Sequence, residues 1–160
     1  MALFDMPALE QERLKKARKY LRLFTMDTPE LNRLIRGYEI DEDRLELAIV
    51  LTVSDWNTTT PVLHRKVTLG TFPSLYLLIH GAAIQCLKMA GLYQSRNELT
   101  YNSGGSSFVR ANKTPYYQSW IQNFASEYEA KKLNFKIQAN VEGAYGSGFG
   151  SEYDLIGYDW

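Results

Sequence analysis

The sequence predicts a mainly α protein: a small helical bundle around a buried central helix, with a β-hairpin insertion and an extended C-terminal arm. Three observations carry that prediction. The stretch Phe72 to Tyr93 runs about twenty residues with no proline after Pro73, and it is apolar on nearly every side. Amphipathic segments lie before and after it, two of them opening on a cap-plus-proline start at Thr28-Pro29 and Thr114-Pro115. From Asn140 onward the chain becomes rich in glycine and aromatics and holds no lysine or arginine. The 160 residues therefore divide into a helical bundle domain, 1–139, with the hairpin at 98–110, and an arm, 140–160.

Composition narrows the class. Hydrophobic residues at 45% and charged residues at 22% are ordinary for a soluble globular chain. With 18 basic and 18 acidic residues the net charge is 0, so bulk charge points to neither a nucleic acid nor a membrane surface. The single Cys86 excludes an intramolecular disulfide, and its place in the central helix reads as a small buried filler. Tyr 11, Phe 7 and Trp 3 make an aromatic-rich chain, and such residues are enriched at protein interfaces. The first residues contain no apolar core of signal-peptide length.

Residues Pro7 to Phe24 predict an amphipathic helix, with Leu14, Ala17, Leu21 and Phe24 forming one stripe. Its other face carries Arg13, Lys15, Lys16, Arg18, Lys19 and Arg22 with no acid between them. That face is either a solvated surface or an electrostatic patch directed at phosphate or an acidic protein. Thr28, Pro29 and Glu30 then start a short helix that carries Leu31, Leu34 and Ile35 inward and stops near Gly37. Asp41-Glu42-Asp43 opens the next helix; its body, Leu45 to Val53, is apolar enough for a buried strand, and the acidic start favours helix. Ser54 to Pro61 reads as a capping-rich loop containing Trp56, followed by an extended segment from Val62 to Leu69.

In the central helix, Leu75, Leu77, Leu78, Ile79, Ala82, Ala83, Ile84, Leu87, Met89, Ala90 and Leu92 face nearly every direction. Gly81, Ala82 and Ala83 leave flat spots for a close neighbour. A membrane span is the rival reading; His80, Gln85 and Lys88 interrupt the apolar run and favour a core helix. Glu98 to Arg110 reads as a hairpin, with β-formers on both arms of Asn102-Ser103-Gly104-Gly105. Its candidate interface residues are Tyr101, Asn102, Gly104, Gly105 and Phe108, on a finger that meets either solvent or a partner.

The last helix, Tyr116 to about Asn134, aligns Tyr117, Trp120, Ile121, Phe124 and Tyr128 toward the core, leaving Glu127, Glu129, Lys131 and Lys132 to solvent. The arm that follows holds five of the chain's 11 glycines, with Tyr145, Phe149, Tyr153, Leu155, Ile156, Tyr158 and Trp160 interleaved as anchors. A merely disordered tail is poor in such residues. The composition fits an arm that orders on a neighbouring molecule better than one folded back on its own helices.

Catalytic and metal signatures are missing from the sequence. The histidines, His64 and His80, stand sixteen residues apart and there is one cysteine, so no metal-ligand spacing exists. G-x-S-x-G, HExxH and phosphate-loop patterns are absent. His80, on a nearly all-apolar helix, reads as a hydrogen-bonded core histidine before a general base. The expectation is a protein without catalytic, cofactor or metal residues, and a small enzyme built around His80 is the third-ranked reading.

The order of parts, with Asp55-Trp56-Asn57, the Leu99-Thr100-Tyr101-Asn102-Ser103-Gly104-Gly105 turn, the Tyr116 to Asn134 helix and the Gly-Ser-Glu-Tyr run ending at Tyr153, resembles neck proteins of tailed bacteriophages. The nearest likeness is to the head-to-tail connector adaptor beneath the portal. That resemblance implies a structural virion protein, assembled in the host cytoplasm, forming a homo-oligomeric ring of commonly twelve subunits. Its implied partners are the portal protein, other neck or tail proteins, and DNA passing through the lumen without sequence specificity, with no membrane. The alternative reading is a small nucleic-acid-binding protein using the basic N-terminal helix.

Overall fold

The computed structural model describes residues 8–32, 36–96, 100–103, 106–109 and 114–145. In these, four α-helices run in the order α1 (Ala8–Phe24), α2 (Glu42–Thr58), α3 (Leu75–Arg96) and α4 (Thr114–Tyr145), with a 3₁₀ turn at Leu69–Thr71. The central helix is α3, which packs against α4, α2 and α1. Leu77 through Ile84 are all buried, eight consecutive positions that only a helix surrounded on every side can hide. By length and composition α3 passes for a membrane span, and 50% of its most apolar stretch is buried against its neighbours, as a bundle core requires. Toward its C-terminus it emerges: Leu92, expected in the core, is exposed.

Each flanking helix delivers a stripe at helical spacing. Leu14, Ala17 and Leu21 are buried from α1, and Leu45, Ala48, Ile49, Thr52 and Trp56 from α2. Helix thus wins over strand at Leu45 to Val53. It also continues through Thr58, where a loop was expected. The hydroxyls that suggest capping bond back along the helix instead: Thr52 Oγ1 donates to the Ala48 carbonyl at 2.8 Å and Thr58 Oγ1 to that of Ser54 at 3.0 Å. Trp56 is therefore core rather than loop, its ring 5.0 Å from Phe72 and 5.6 Å from Phe135. Asn57 pins the extended segment that follows, donating to the Val67 carbonyl at 2.7 Å and accepting its N–H at 2.8 Å. Phe72 is fully buried but lies before α3, whose first turn is capped by Ser74 Oγ accepting from Leu77 N–H at 3.4 Å.

The connection from α1 to α2 departs from the expected short helix. Met26 adopts φ 58°, and the N–H groups of Met26 and Asp27 bond to the carbonyls of Leu23 and Arg22, which terminates α1 in a Schellman pattern. Asp27 is then buried and its carboxylate organises the loop. Oδ1 accepts from Asn32 Nδ2 at 2.6 Å and Glu39 N–H at 2.7 Å; Oδ2 accepts from Arg22 at 2.9 Å and Ile40 N–H at 3.1 Å. Around that anchor the described residues carry turns, with Leu31 at 54% exposure rather than inward. Leu34 and Ile35 lie outside the described residues.

Strands β1 (Thr100–Ser103) and β2 (Ser106–Val109) pair antiparallel, Tyr101 opposite Phe108 and Asn102 opposite Ser107. Gly104 and Gly105 lie outside the described residues. The last helix overruns its expected end at Asn134 by eleven residues and reaches Tyr145, so it crosses the boundary placed at 139/140. The extension Phe135 to Tyr145 includes the good helix formers Lys136, Gln138, Ala139, Glu142 and Ala144, and the lone Gly143 costs only about 1 kcal/mol there. It also keeps the inward stripe going: Tyr128, Lys132 and Lys136 are buried, and Phe135 packs on the core. The aromatic stripe is partly misread, because Trp120 is 55% exposed.

Gly81 marks the tightest crossing. A Cβ built there would sit 2.5 Å from Thr52 Cγ2 and 3.0 Å from the Tyr128 ring, whereas one at Gly91 would meet Tyr117 Cβ at an ordinary 3.6 Å. Thr52 is held by its own hydrogen bond and has no free rotamer to yield. Gly81→Ala should therefore destabilise the fold by about 1–3 kcal/mol through overpacking, while Gly91→Ala should stabilise it by about 0.5–1 kcal/mol through helix propensity. Denaturant midpoints of the two variants check the opposite signs. Asp27→Ala, which strips four donors of one acceptor, should cost about 3–5 kcal/mol in the same assay.

Candidate functional site

Strongly polar side chains gather in three places. The first is the junction of α2 and α4. Lys132 and Lys136, one turn apart on α4, are 2% and 0% exposed, against the expectation that Lys132 faces solvent. Lys132 Nζ donates to Asp55 Oδ2 at 2.9 Å and Glu129 Oε1 at 2.8 Å. Lys136 Nζ donates to the backbone carbonyls of Trp56 and Thr59, at the C-terminal end of α2. Those carbonyls lack intrahelical partners and carry the negative end of the helix dipole, so a cation is the natural cap. Burial lowers the proton affinity of Lys136, helped by neighbouring Lys132. Tyr128 completes the stripe, its hydroxyl 3.4 Å from Asp55 Oδ2, and burial raises its pKa.

Beside this junction a cleft of about 60 Å³ opens between α2, α3 and α4, lined by Thr52, Asp55, Gly81, Gln85, Tyr128 and Glu129 among others. Small-molecule sites occupy roughly 300–1,000 Å³. The space suits a few waters, and the chemistry beside it is that of a structural ion network.

The second place is His80. Its Nδ1 lies 2.9 Å from the Tyr76 hydroxyl, which also contacts Glu127 Oε1 at 2.8 Å and Lys131 Nζ at 3.1 Å. The phenol has one proton, and with Glu127 as its acceptor the oxygen is left to receive from Lys131 and from His80 Nδ1–H. Nε2 is then an unprotonated, buried nitrogen with no partner among the described residues. The rings of Phe24 and Phe124 flank it at 5.8 and 5.0 Å. This is the hydrogen-bonded core histidine expected from sequence. Protonating it would place a second N–H against aromatic walls, and burial accordingly lowers its pKa below the usual 6.5, opposed by Glu127 and assisted by Lys131.

The third is the basic face of α1, which the structure divides. Arg18 meets Glu42 at 3.1 Å and Glu46 at 3.9 Å; Arg22 meets Asp27 at 2.9 Å and Glu42 at 2.7 Å. Arg13 donates to the Gly70 carbonyl. Three of the six expected patch residues are thus directed into the fold, and the acids that meet Arg18 and Arg22 come from α2 and the loop before it. Lys15, Lys16 and Lys19 remain exposed, with Lys16 3.6 Å from Glu12. No cluster of three or more histidines, cysteines or carboxylates arranged for a metal occurs among the described residues. Cys86 is buried, and desolvation pushes its thiol up to about 12, far from a reactive nucleophile.

Apolar side chains also face outward. On α2, Leu47, Val50 and Leu51 are exposed; on α4, Tyr116 and Trp120 near one end and Leu133, Ile137 and Val141 near the other. Sequence reading missed these three faces, because a helix with apolar residues on two sides gives no single stripe to follow. Of the expected arm residues, Tyr145 ends α4, while Phe149, Tyr153, Leu155, Ile156, Tyr158 and Trp160 lie outside the described residues. No family model, curated protein or solved structure matches the chain.

The lowered pKa of His80 sets a sign for stability. Below about pH 6.5 the unfolded chain binds a proton that the folded chain refuses, so stability is full above that pH and declines as pH falls. The melting temperature should drop from about pH 7 to about pH 5.5, and His80→Gln should flatten that part of the profile. An unchanged slope in the variant would assign the loss to other groups.

Proposed function

We propose that this protein is a structural assembly component, an adaptor that joins the portal to the tail or neck of a tailed phage as one member of a ring of like subunits. The observation that carries the reading is the division of labour between inside and outside. Charged groups at the helix junctions are spent on internal partners, while three outward helix faces are apolar. Exposed apolar stripes on a small helical bundle suit repeated protein contacts. A head-to-tail ring needs two unlike surfaces per subunit, which such faces supply.

In this reading the glycine-and-aromatic segment from residue 146 onward grips the portal or an adjacent subunit, and the β1–β2 finger meets a ring neighbour or the next neck layer. The likeness to neck proteins in the order of parts supports the assignment. Nucleic-acid binding through α1 is weakened as a rival, since Arg18 and Arg22 already meet acids and leave three exposed lysines to attract phosphate.

The test is localisation. In lysates of the natural host the protein should co-sediment with intact particles, and an antibody against it should mark one position between head and tail. A chain lacking residues 146–160 should keep its helical circular dichroism and be missing from particles. A protein that stays in the soluble fraction, or binds duplex DNA with a steep salt dependence, contradicts the proposal.

A further inference from the structure

The C-terminal half of α4 carries an apolar seam with no partner among the described residues. Leu133, Ile137 and Val141 are 45%, 49% and 48% exposed, and Ala130 and Ala144 are exposed beside them. Ala130, Leu133, Ile137, Val141 and Ala144 follow one another at spacings of three, four, four and three, so they fall on one side of the helix. The opposite side is the one already used, where Tyr128, Lys132 and Lys136 are buried against α2 and α3. The seam is thus a second face of a helix whose position is fixed. Branched side chains form a ridge along its middle and an alanine leaves low ground at each end, a shape that accepts flat rings.

Fifteen residues follow the seam directly, 146–160. Fully extended they reach about 50 Å, more than twice the ~21 Å from Ala130 to Ala144. They contain Phe149, Tyr153, Leu155, Ile156, Tyr158 and Trp160 and no lysine or arginine. With 32 residues against 22, α4 is longer than α3 by ~15 Å, and the seam occupies its C-terminal half. We infer that the seam on α4 receives the 146–160 segment of a second copy of this chain, which links copies head to tail. This rests on the ring proposed above and names the surface that takes the arm.

Two full-length variants separate the parts. Leu133→Ser with Ile137→Ser removes the seam; Phe149→Ser, Tyr153→Ser and Trp160→Ser remove the arm's anchors. Both seam positions are about half exposed, and circular dichroism together with the conservative pair Leu133→Met and Ile137→Leu guards against misfolding. Sedimentation should show self-association of the native chain, with the apparent Kd raised at least about a hundredfold in either serine variant. Mixing the two variants should restore a one-to-one pair, because one intact arm then meets one intact seam. Should the arm variant associate like the native chain, the arm reading itself fails. Should only the seam variant do so, the arm stands and the seam is wrong. A native chain that remains monomeric to about 1 mM overturns docking between copies.

Discussion

The fold depends on how the end of α2 is closed. Its terminal carbonyls would otherwise sit unbonded between two helices, and α4 closes them with Lys136, while Lys132 one turn earlier engages Asp55. Burying two ammonium groups is unfavourable unless each finds full compensation. Here it comes from a carboxylate, a second carboxylate at Glu129, and the negative end of a helix dipole. Such compensation tolerates little sliding, because moving α4 by one turn would strand a cation. The junction therefore fixes the register of α4 on α2, and with it the direction in which every other face of α4 points.

The crossing at Gly81 enforces the same register sterically. Thr52 and Tyr128 close on the glycine from two helices at once, so α2, α3 and α4 meet at one point with no room for a methyl group. One constraint is electrostatic and the other is excluded volume, and they agree. That agreement explains how a helix of low amphipathicity such as α4 is held through 32 residues, since packing rather than propensity supplies most of a helix's stability.

Much of this was legible. The buried central helix, the flat spot at Gly81, the stripe of Leu14, Ala17 and Leu21, and the core role of His80 follow from periodicity and side-chain size. What was illegible has a common cause. Trp56 sits among Ser, Asp, Asn and Thr, residues that suggest a loop locally, yet the tertiary gain of seating an indole between Phe72 and Phe135 extends the helix through them. Lys132 looks like a solvent-facing residue because one-dimensional reading assigns charge to water, and the carbonyls that claim Lys136, one turn on, are about eighty residues away in sequence. Arg18 and Arg22 look like a patch for the same reason: Glu42 and Glu46 lie on another helix. Local rules place the elements; the partners of long polar side chains are set by packing alone.

That limit bears on function. A chain whose basic residues seem free in sequence invites a nucleic-acid reading, and the invitation weakens once the acids of α2 are brought beside α1. On α1 three lysines of the basic face stay exposed, while α2 and α4 expose apolar side chains at three places. Apolar faces are sequestered only by other molecules or by further segments of the same chain, and the 146–160 segment has the matching composition. On the proposed reading, the bundle holds shape and the glycine- and aromatic-rich 146–160 segment does the linking. Such separation lets contacts of modest strength add through effective concentration when many copies close into a ring. In the proposed ring, the junction of α2 and α4 would hold each seam at one angle to the arm it receives.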